Sequence, residues 1–206
     1  MKNMTALTMI RLAATLGIIS VLTACALGDR ATAPKQLDLG AGAPAAANAL
    51  PNMPPIAVPP ANSASLLTET MVVWRVGDQG QPQAFATYRW VAPPARLVTQ
   101  RIVDRLSLQG AVLQQNIGGE VPQLRLNLQR FEQTFSADGA SSQAQLTLQA
   151  VLMRGAEVVG QRLINIRVPA ATQDAPGGAM ALRTATDQAA EQVAQWLTSL
   201  QGLKTR

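Results

Sequence analysis

Cysteine is the side chain best suited to covalent chemistry in this 206-residue sequence, and it occurs once, as Cys25. A cysteine can be a nucleophile, a metal ligand, half of a disulfide, a small buried side chain or a modification site. A single cysteine excludes an internal disulfide and a CxxC metal knuckle. The sequence has no histidine, so the usual base for a nucleophile and the commonest metal ligand are both missing. Burial and covalent modification remain.

The residues before Cys25 have the pattern of an export signal. Lys2 and Arg11 give a positive start, and the run "LAATLGIISVL" (12–22) adds eleven predominantly apolar residues. As a helix this run would be about 16 Å long, and a bilayer core is about 30 Å thick. We therefore predict that residues 1–24 are a signal peptide and not a permanent transmembrane helix.

The sequence Leu22-Thr23-Ala24-Cys25 resembles the bacterial lipobox. The resemblance implies that Leu22, Thr23 and Ala24 are recognised by the lipoprotein signal peptidase, and that the Cys25 thiol accepts diacylglycerol before cleavage. Acylation of the new amino terminus would follow, and several acyl chains hold a protein stably in a membrane. By resemblance to lipoprotein sorting in Gram-negative bacteria, Ala26 in place of aspartate favours transfer to the outer membrane, where the domain would face the periplasm. The alternative is an ordinary secretory signal.

Charge and composition disfavour several function classes. The net charge is +5, from seventeen basic and twelve acidic residues. The arginines are scattered, which favours a solvated, salt-bridged surface over a nucleic-acid partner. The acidic residues form no DxD or ExxE cluster and the chain has no GxxxxGK[ST] loop. We therefore predict no enzyme activity, no cofactor and no metal. An envelope hydrolase whose carboxylate pair is assembled by folding stays open.

The mature chain is long enough for one domain. Residues 25–55 are predicted to be the lipidated N-terminus, with a short strand at 36–39 and an Ala/Pro-rich linker at 41–55. Residues 56–206 are predicted to form a single α+β domain.

Residue patterns within 56–206 predict a sheet and two helices. The predicted strands are 56–60, 69–76, 83–90, 111–115, 123–131, 142–152 and 158–168. Phe131 breaks the alternation of its strand, which indicates a bulge. The helices are predicted at 92–106 and at about 178–200, with Val98, Ile102 and Leu106 on one stripe. We expect a two-layer domain: an antiparallel sheet with both helices packed on one face.

Three residues at the junction of strand and helix are candidates for contact with a partner: Tyr88, Arg89 and Trp90. Aromatic residues and arginine dominate interaction hot spots, so an exposed pair here would favour binding. The alternative is that Trp90 covers the core and Arg89 is merely solvated.

Four segments of the chain also resemble a known family. These are "VVWRV", "YRWVAPPARLVTQRIVDRL", "LRLNLQRFEQTF" and "ATDQAAEQVAQWL", in that order, between about Leu37 and Leu197. They resemble the ABC-type transport auxiliary lipoproteins, the PqiC-like partners of MCE-domain (mammalian cell entry) lipid transport systems.

The resemblance implies a non-enzymatic outer-membrane component that meets an MCE-domain transporter protein in the periplasm. MCE assemblies are rings, so a homo-oligomer is also compatible with it. A structural or assembly lipoprotein serving another envelope complex is the alternative.

Overall fold

The computed structural model describes residues 33–41, 52–114 and 121–200. The predicted signal peptide and the lipobox residues Leu22, Thr23, Ala24 and Cys25 lie outside these ranges. The described strands are β1 (Lys35–Leu37), β2 (Ile56–Ala57), β3 (Asn62–Ser63), β4 (Met71–Val76), β5 (Gln83–Trp90), β6 (Val112–Leu113), β7 (Gln123–Phe135), β8 (Ser142–Arg154) and β9 (Glu157–Pro169). The helices are α1 (Pro94–Ser107) and α2 (Ala175–Ser199), and Ser65–Leu67 form a 3-10 turn.

Strand β7 is the centre of the sheet. One of its edges pairs antiparallel with β8 along its whole length, and β8 pairs antiparallel with β9. Along its other edge β2, β3 and β4 pair with it in turn, all parallel. Strand β5 forms an antiparallel hairpin with β4, and β1 and β6 add parallel pairings to β5 and β2. Strands β2, β3 and β4 therefore each cover a different part of β7.

The α+β class and the two helices are confirmed, but the prediction of an antiparallel sheet is wrong for the sheet as a whole. It is a curled mixed sheet. Five of the eight pairings among the described residues are parallel. The antiparallel expectation holds for the β4–β5 hairpin and the β7–β8–β9 meander. These pairings join neighbours in sequence, whereas the parallel ones join segments far apart in the chain.

Helix α1 begins at Pro94, where proline suits the first helical turn. Its predicted stripe is correct, because Val98, Ile102 and Leu106 are fully buried. Helix α2 is capped by Asp174, whose carboxylate accepts a hydrogen bond from the Gly177 N–H at 2.8 Å.

Small side chains on α2 allow a close approach to the sheet. Ala185 and Ala189 are fully buried on its inner face, and Trp196 fills space near its end at 7 % exposure. The helix and the sheet share one hydrophobic core with α1. Phe131 contributes to this core, and the predicted irregularity lies between Leu128 and Arg130.

Two ion pairs join the helices. Arg101 Nε contacts Asp187 at 2.5 Å, and Arg105 Nε contacts Glu191 at 2.7 Å. Both pairs advance by four residues on each helix, so α1 and α2 run in the same direction. The two arginine side chains are only 3 % and 1 % exposed. The expectation of solvated arginines is therefore wrong at these positions, because the helix–helix interface encloses them.

Candidate docking surfaces

Trp90 is part of the core. Its side chain is 2 % exposed, and its ring centroid lies 5.5 Å from that of Phe131. The expectation of an exposed tryptophan is not met, since the side chain lies in the hydrophobic core together with residues of α1 and the sheet. This position agrees with the alternative prediction from the sequence, that Trp90 covers the core. A side chain this buried offers no surface to a partner.

Arg89 is half-buried and holds an irregular part of β5 in place. Met71 pairs with Arg89 and Val73 with Ala84. The chain thus advances five residues along β5 where it advances two along β4, so β5 bulges here. The guanidinium Nη1 donates to the carbonyl oxygens of Phe85 and Tyr88, at 2.9 and 2.7 Å. These bonds satisfy backbone carbonyls at the bulge.

Tyr88 belongs to a surface that we call the aromatic patch, formed by Trp74, Val76, Phe85, Tyr88 and Phe135. Each of the four aromatic side chains is half-buried, and Val76 is 45 % exposed. The ring centroids of Trp74 and Phe135 are 5.7 Å apart, those of Trp74 and Phe85 6.0 Å, and those of Phe85 and Tyr88 6.3 Å. Such contacts hold the rings in fixed orientations.

The patch gathers four of the seven aromatic residues in the sequence. A depression of about 410 Å³ lies on it, lined by Trp74, Val76, Phe85, Phe135 and the turn 136–139. Sequence reasoning identified Tyr88 alone. The predicted hairpin of β4 and β5 could have indicated that Trp74 and Phe85 lie close together. Phe135 comes next to them through the parallel β4–β7 pairing, which no local pattern predicts.

The described chain enters the fold beside this patch. Strand β1 pairs with β5 so that Lys35 lies opposite Tyr88. The Lys35 Nζ is 5.9 Å from the centroid of the Tyr88 ring, within the range of a cation–π interaction.

A second surface is a groove of about 470 Å³ along α1, which we call the α1 groove. It is lined by Val58, Pro60, Ala61, Ser63, Thr68, Pro93, Ala95, Arg96, Thr99, Gln100, Val103 and Gln114. Pro93, Ala95 and Arg96 come from the segment that follows "YRW" in the sequence. Arg96 is exposed, and its side chain has no hydrogen-bond or ion-pair partner within the described ranges. Among the described residues, those that line the groove include no acid.

Charged residues of β4, β7, β9 and the turn after β4 form a network on the outer face of the sheet, and Gln145 of β8 joins it by a hydrogen bond to Asp78. Glu132 accepts from Arg75 at 2.6 Å and also from Arg130, and Arg130 contacts Asp78. Arg130 therefore contacts two carboxylates, those of Glu132 and Asp78. A hydrogen bond from Gln145, followed by the charges of Arg167 and Arg130, lowers the pKa of Asp78.

This lowered pKa does not suit Asp78 to proton donation. A catalytic acid needs a pKa raised toward neutrality, which is the opposite direction. Within the part of the chain that the structure describes, no group of three or more histidine, cysteine, aspartate or glutamate residues could hold a metal ion. The described surfaces thus offer binding features, namely aromatic rings, an apolar groove and an unpaired cation.

Residues 36–194 match the family model of the ABC-type transport auxiliary lipoprotein component. The chain belongs to this family. The match runs from β1 into α2, so it includes the aromatic patch and the α1 groove, and it confirms the family resemblance stated for the sequence. No curated protein matches the sequence.

Two crystal structures share the fold of this auxiliary lipoprotein. A protein from Xanthomonas campestris is 21 % identical, with a TM-score of 0.67, and the likeness covers 84 % of this chain and 99 % of that one. An uncharacterized protein is 15 % identical, with a TM-score of 0.63, covering 81 % of this chain and 99 % of its own. Among the described residues, no helix of the auxiliary lipoprotein is both long and apolar enough to span a bilayer.

Proposed function

We propose that this auxiliary lipoprotein is anchored in the outer membrane by acyl chains on Cys25 and faces the periplasm. There it acts as the docking component of an ABC-type, MCE-domain intermembrane lipid transport system. The observation that carries this proposal is the family match over residues 36–194. The lipobox-like Leu22–Cys25 segment ahead of it supports the anchor.

The α1 groove is the surface that we propose for docking the MCE-domain protein. Its walls are largely apolar, and its exposed cation, Arg96, lacks a partner among the described residues. An apolar segment carrying a carboxylate would fill the groove and pair with Arg96, in the way that interfaces combine an apolar centre with complementary charge. Energy for transport would come from an ATPase elsewhere in the complex, since the sequence has no phosphate-binding loop.

Two further contact roles stay predictions. The first is contact of Tyr88 and Arg89 with a partner. Trp90 lies in the core and could only hold these two residues in position. Assembly into a homo-oligomer that matches a ring-shaped transporter is the other.

Co-purification from detergent-solubilised envelopes tests the docking function. Full-length protein, Arg96→Glu and a matched control, Arg162→Glu at an exposed position of β9, would each be captured and the bound proteins identified. We expect the wild type and Arg162→Glu to retain an MCE-domain protein. Arg96→Glu should retain about one tenth as much, because an interfacial charge reversal costs at least 1.4 kcal/mol. Capture of a different envelope complex would instead favour the structural or assembly role.

Membrane fractionation tests the anchor. Cys25→Ser removes the atom that accepts the lipid, so this variant should move from the membrane fraction to the soluble periplasmic fraction. Persistence of the variant in membranes would contradict lipidation at Cys25.

A further inference from the structure

We propose that the aromatic patch contacts the membrane, so that the domain lies with Trp74, Phe85 and Tyr88 against the phospholipid headgroups of the bilayer that holds its acyl chains. This inference rests on the proposed anchoring at Cys25. It assigns Tyr88 to the lipid surface and leaves the α1 groove for the protein partner.

The chemistry of the patch suits a bilayer interface. Tryptophan and tyrosine concentrate at the headgroup level because their rings are apolar on one side and polar at one tip. Here the rings pack against the domain on one side and remain exposed on the other, whereas Trp90 and Trp196 are 2 % and 7 % exposed. Since the patch rings are held by one another, little side-chain freedom would be lost on contact with lipid.

The length of chain before β1 indicates which side of the domain meets the bilayer. Nine residues, 26–34, separate Cys25 from Lys35. Even fully extended, the chain from Cys25 to Lys35 spans at most about 35 Å. A compact domain of this length is about 40 Å across. The anchor is therefore shorter than the domain is wide, so the side on which the chain enters cannot be the side farthest from the membrane.

That side carries the patch, because Lys35 Nζ lies over the Tyr88 ring. Lys35 is exposed and can reach lipid phosphate, and the Arg89 guanidinium adds positive charge close by. One acid lines the depression, Asp138. Its carboxylate is occupied by the Ser136 hydroxyl at 2.6 Å and the Ala140 N–H at 3.0 Å, and these bonds lower its pKa. Lys35 and Arg89 thus place positive charge at the β1–β5 edge of the patch, and the carboxylate of Asp138 in the depression is bonded internally.

Fluorescence quenching by lipid tests the proposal, because Trp74 is the one half-exposed residue of the three tryptophans. The full mature lipoprotein would be reconstituted into phosphatidylcholine vesicles with or without bromine on the acyl chains close to the headgroup. We expect the brominated lipid to reduce the fluorescence by up to the share of one tryptophan in three. Trp74→Phe, which preserves the ring packing, should lose this quenching.

A matched control moves the reporter to another surface. In Trp74→Phe/Leu163→Trp the new indole replaces an exposed leucine on β9, three strands away from β4 in the sheet, and should not be quenched. Thermal unfolding of each variant establishes that it is folded before its fluorescence is compared.

The outcomes separate the two proposals. Protein that fails to float with the vesicles refutes the anchor at Cys25. Protein that floats without quenching of Trp74 overturns membrane contact by the patch and makes a protein partner its occupant. Equal quenching of Trp74 and of the tryptophan at position 163 also overturns it, because lipid contact would then be unspecific.

Discussion

Replacing Trp90 by alanine is expected to destabilise the domain by about 4 kcal/mol. The side chain is 2 % exposed and packs on Phe131, so its removal loses nearly the full transfer free energy of an indole and leaves a cavity. Domains of this size are stable by about 5–15 kcal/mol. One kcal/mol shifts the unfolding midpoint by about 2–4 °C at this chain length, so we expect a fall of about 8–16 °C.

Thermal and urea unfolding followed by circular dichroism would measure this change. Trp90→Phe is the matched control, since it keeps an aromatic ring against Phe131 and should cost about 1–2 kcal/mol. Tyr88→Ala, at a half-buried position of the same strand, should cost no more than about 1–2 kcal/mol. An unchanged midpoint for Trp90→Ala, with partner capture lost, would refute the core assignment.

Two further predictions concern the helices. Glu191→Ala should cost about 2–3 kcal/mol in urea unfolding at neutral pH, because it leaves the buried Arg105 without its carboxylate, and Arg105→Met in the same background should recover part of that loss. The hydrogen bond from Arg105 lowers the pKa of Glu191 in the folded protein from its ordinary value of 4.5. The stability that Glu191 contributes is therefore fully present above pH 4.5 and is lost as the pH falls through the lowered pKa of the folded protein. If the unfolding free energy of Glu191→Ala depends on acid pH as steeply as that of the wild type, this account is contradicted. Gly177→Ala should destabilise the domain by at least about 1 kcal/mol although alanine favours helices, because its Cβ would lie 2.4 Å from the Thr172 carbonyl oxygen; higher stability in thermal unfolding would refute this.

Much of the fold follows from local patterns. The stripe of Val98, Ile102 and Leu106 predicted the buried face of α1, and the broken alternation at Phe131 predicted the irregularity in β7. Strand and helix bounds agree within a few residues, except that β7 continues to Phe135 and that β3 was not predicted. Strand partners were predictable where a short turn joins the strands, since chain connection then fixes the pairing.

The parallel pairings could not be predicted in the same way. Alternation shows which side chains share a face but not which distant strand lies alongside. As a result the contact between β4 and β7, and with it Phe135 in the aromatic patch, was missing from the sequence prediction. The burial of Arg101 and Arg105 was missed for the same reason, because it depends on Asp187 and Glu191 from a helix far along the chain.

The candidate contact residues show the limit of composition as a guide to a site. Tyr88, Arg89 and Trp90 are adjacent in sequence, yet one lies in the patch, one binds the carbonyls of a bulge and one is in the core. Alternation along a strand separates neighbours to opposite faces, and the irregular pairing of β5 shifts that alternation. The residue types were those of a binding surface, but the backbone decided which of them is exposed.

Intact mass spectrometry of the protein purified from membranes tests the central claim, a lipid-anchored docking domain, most directly. We predict a polypeptide that begins at Cys25 and carries the added mass of diacylglycerol and an N-terminal acyl chain. A free thiol at Cys25, or a chain that still contains residues 1–24, would contradict the account.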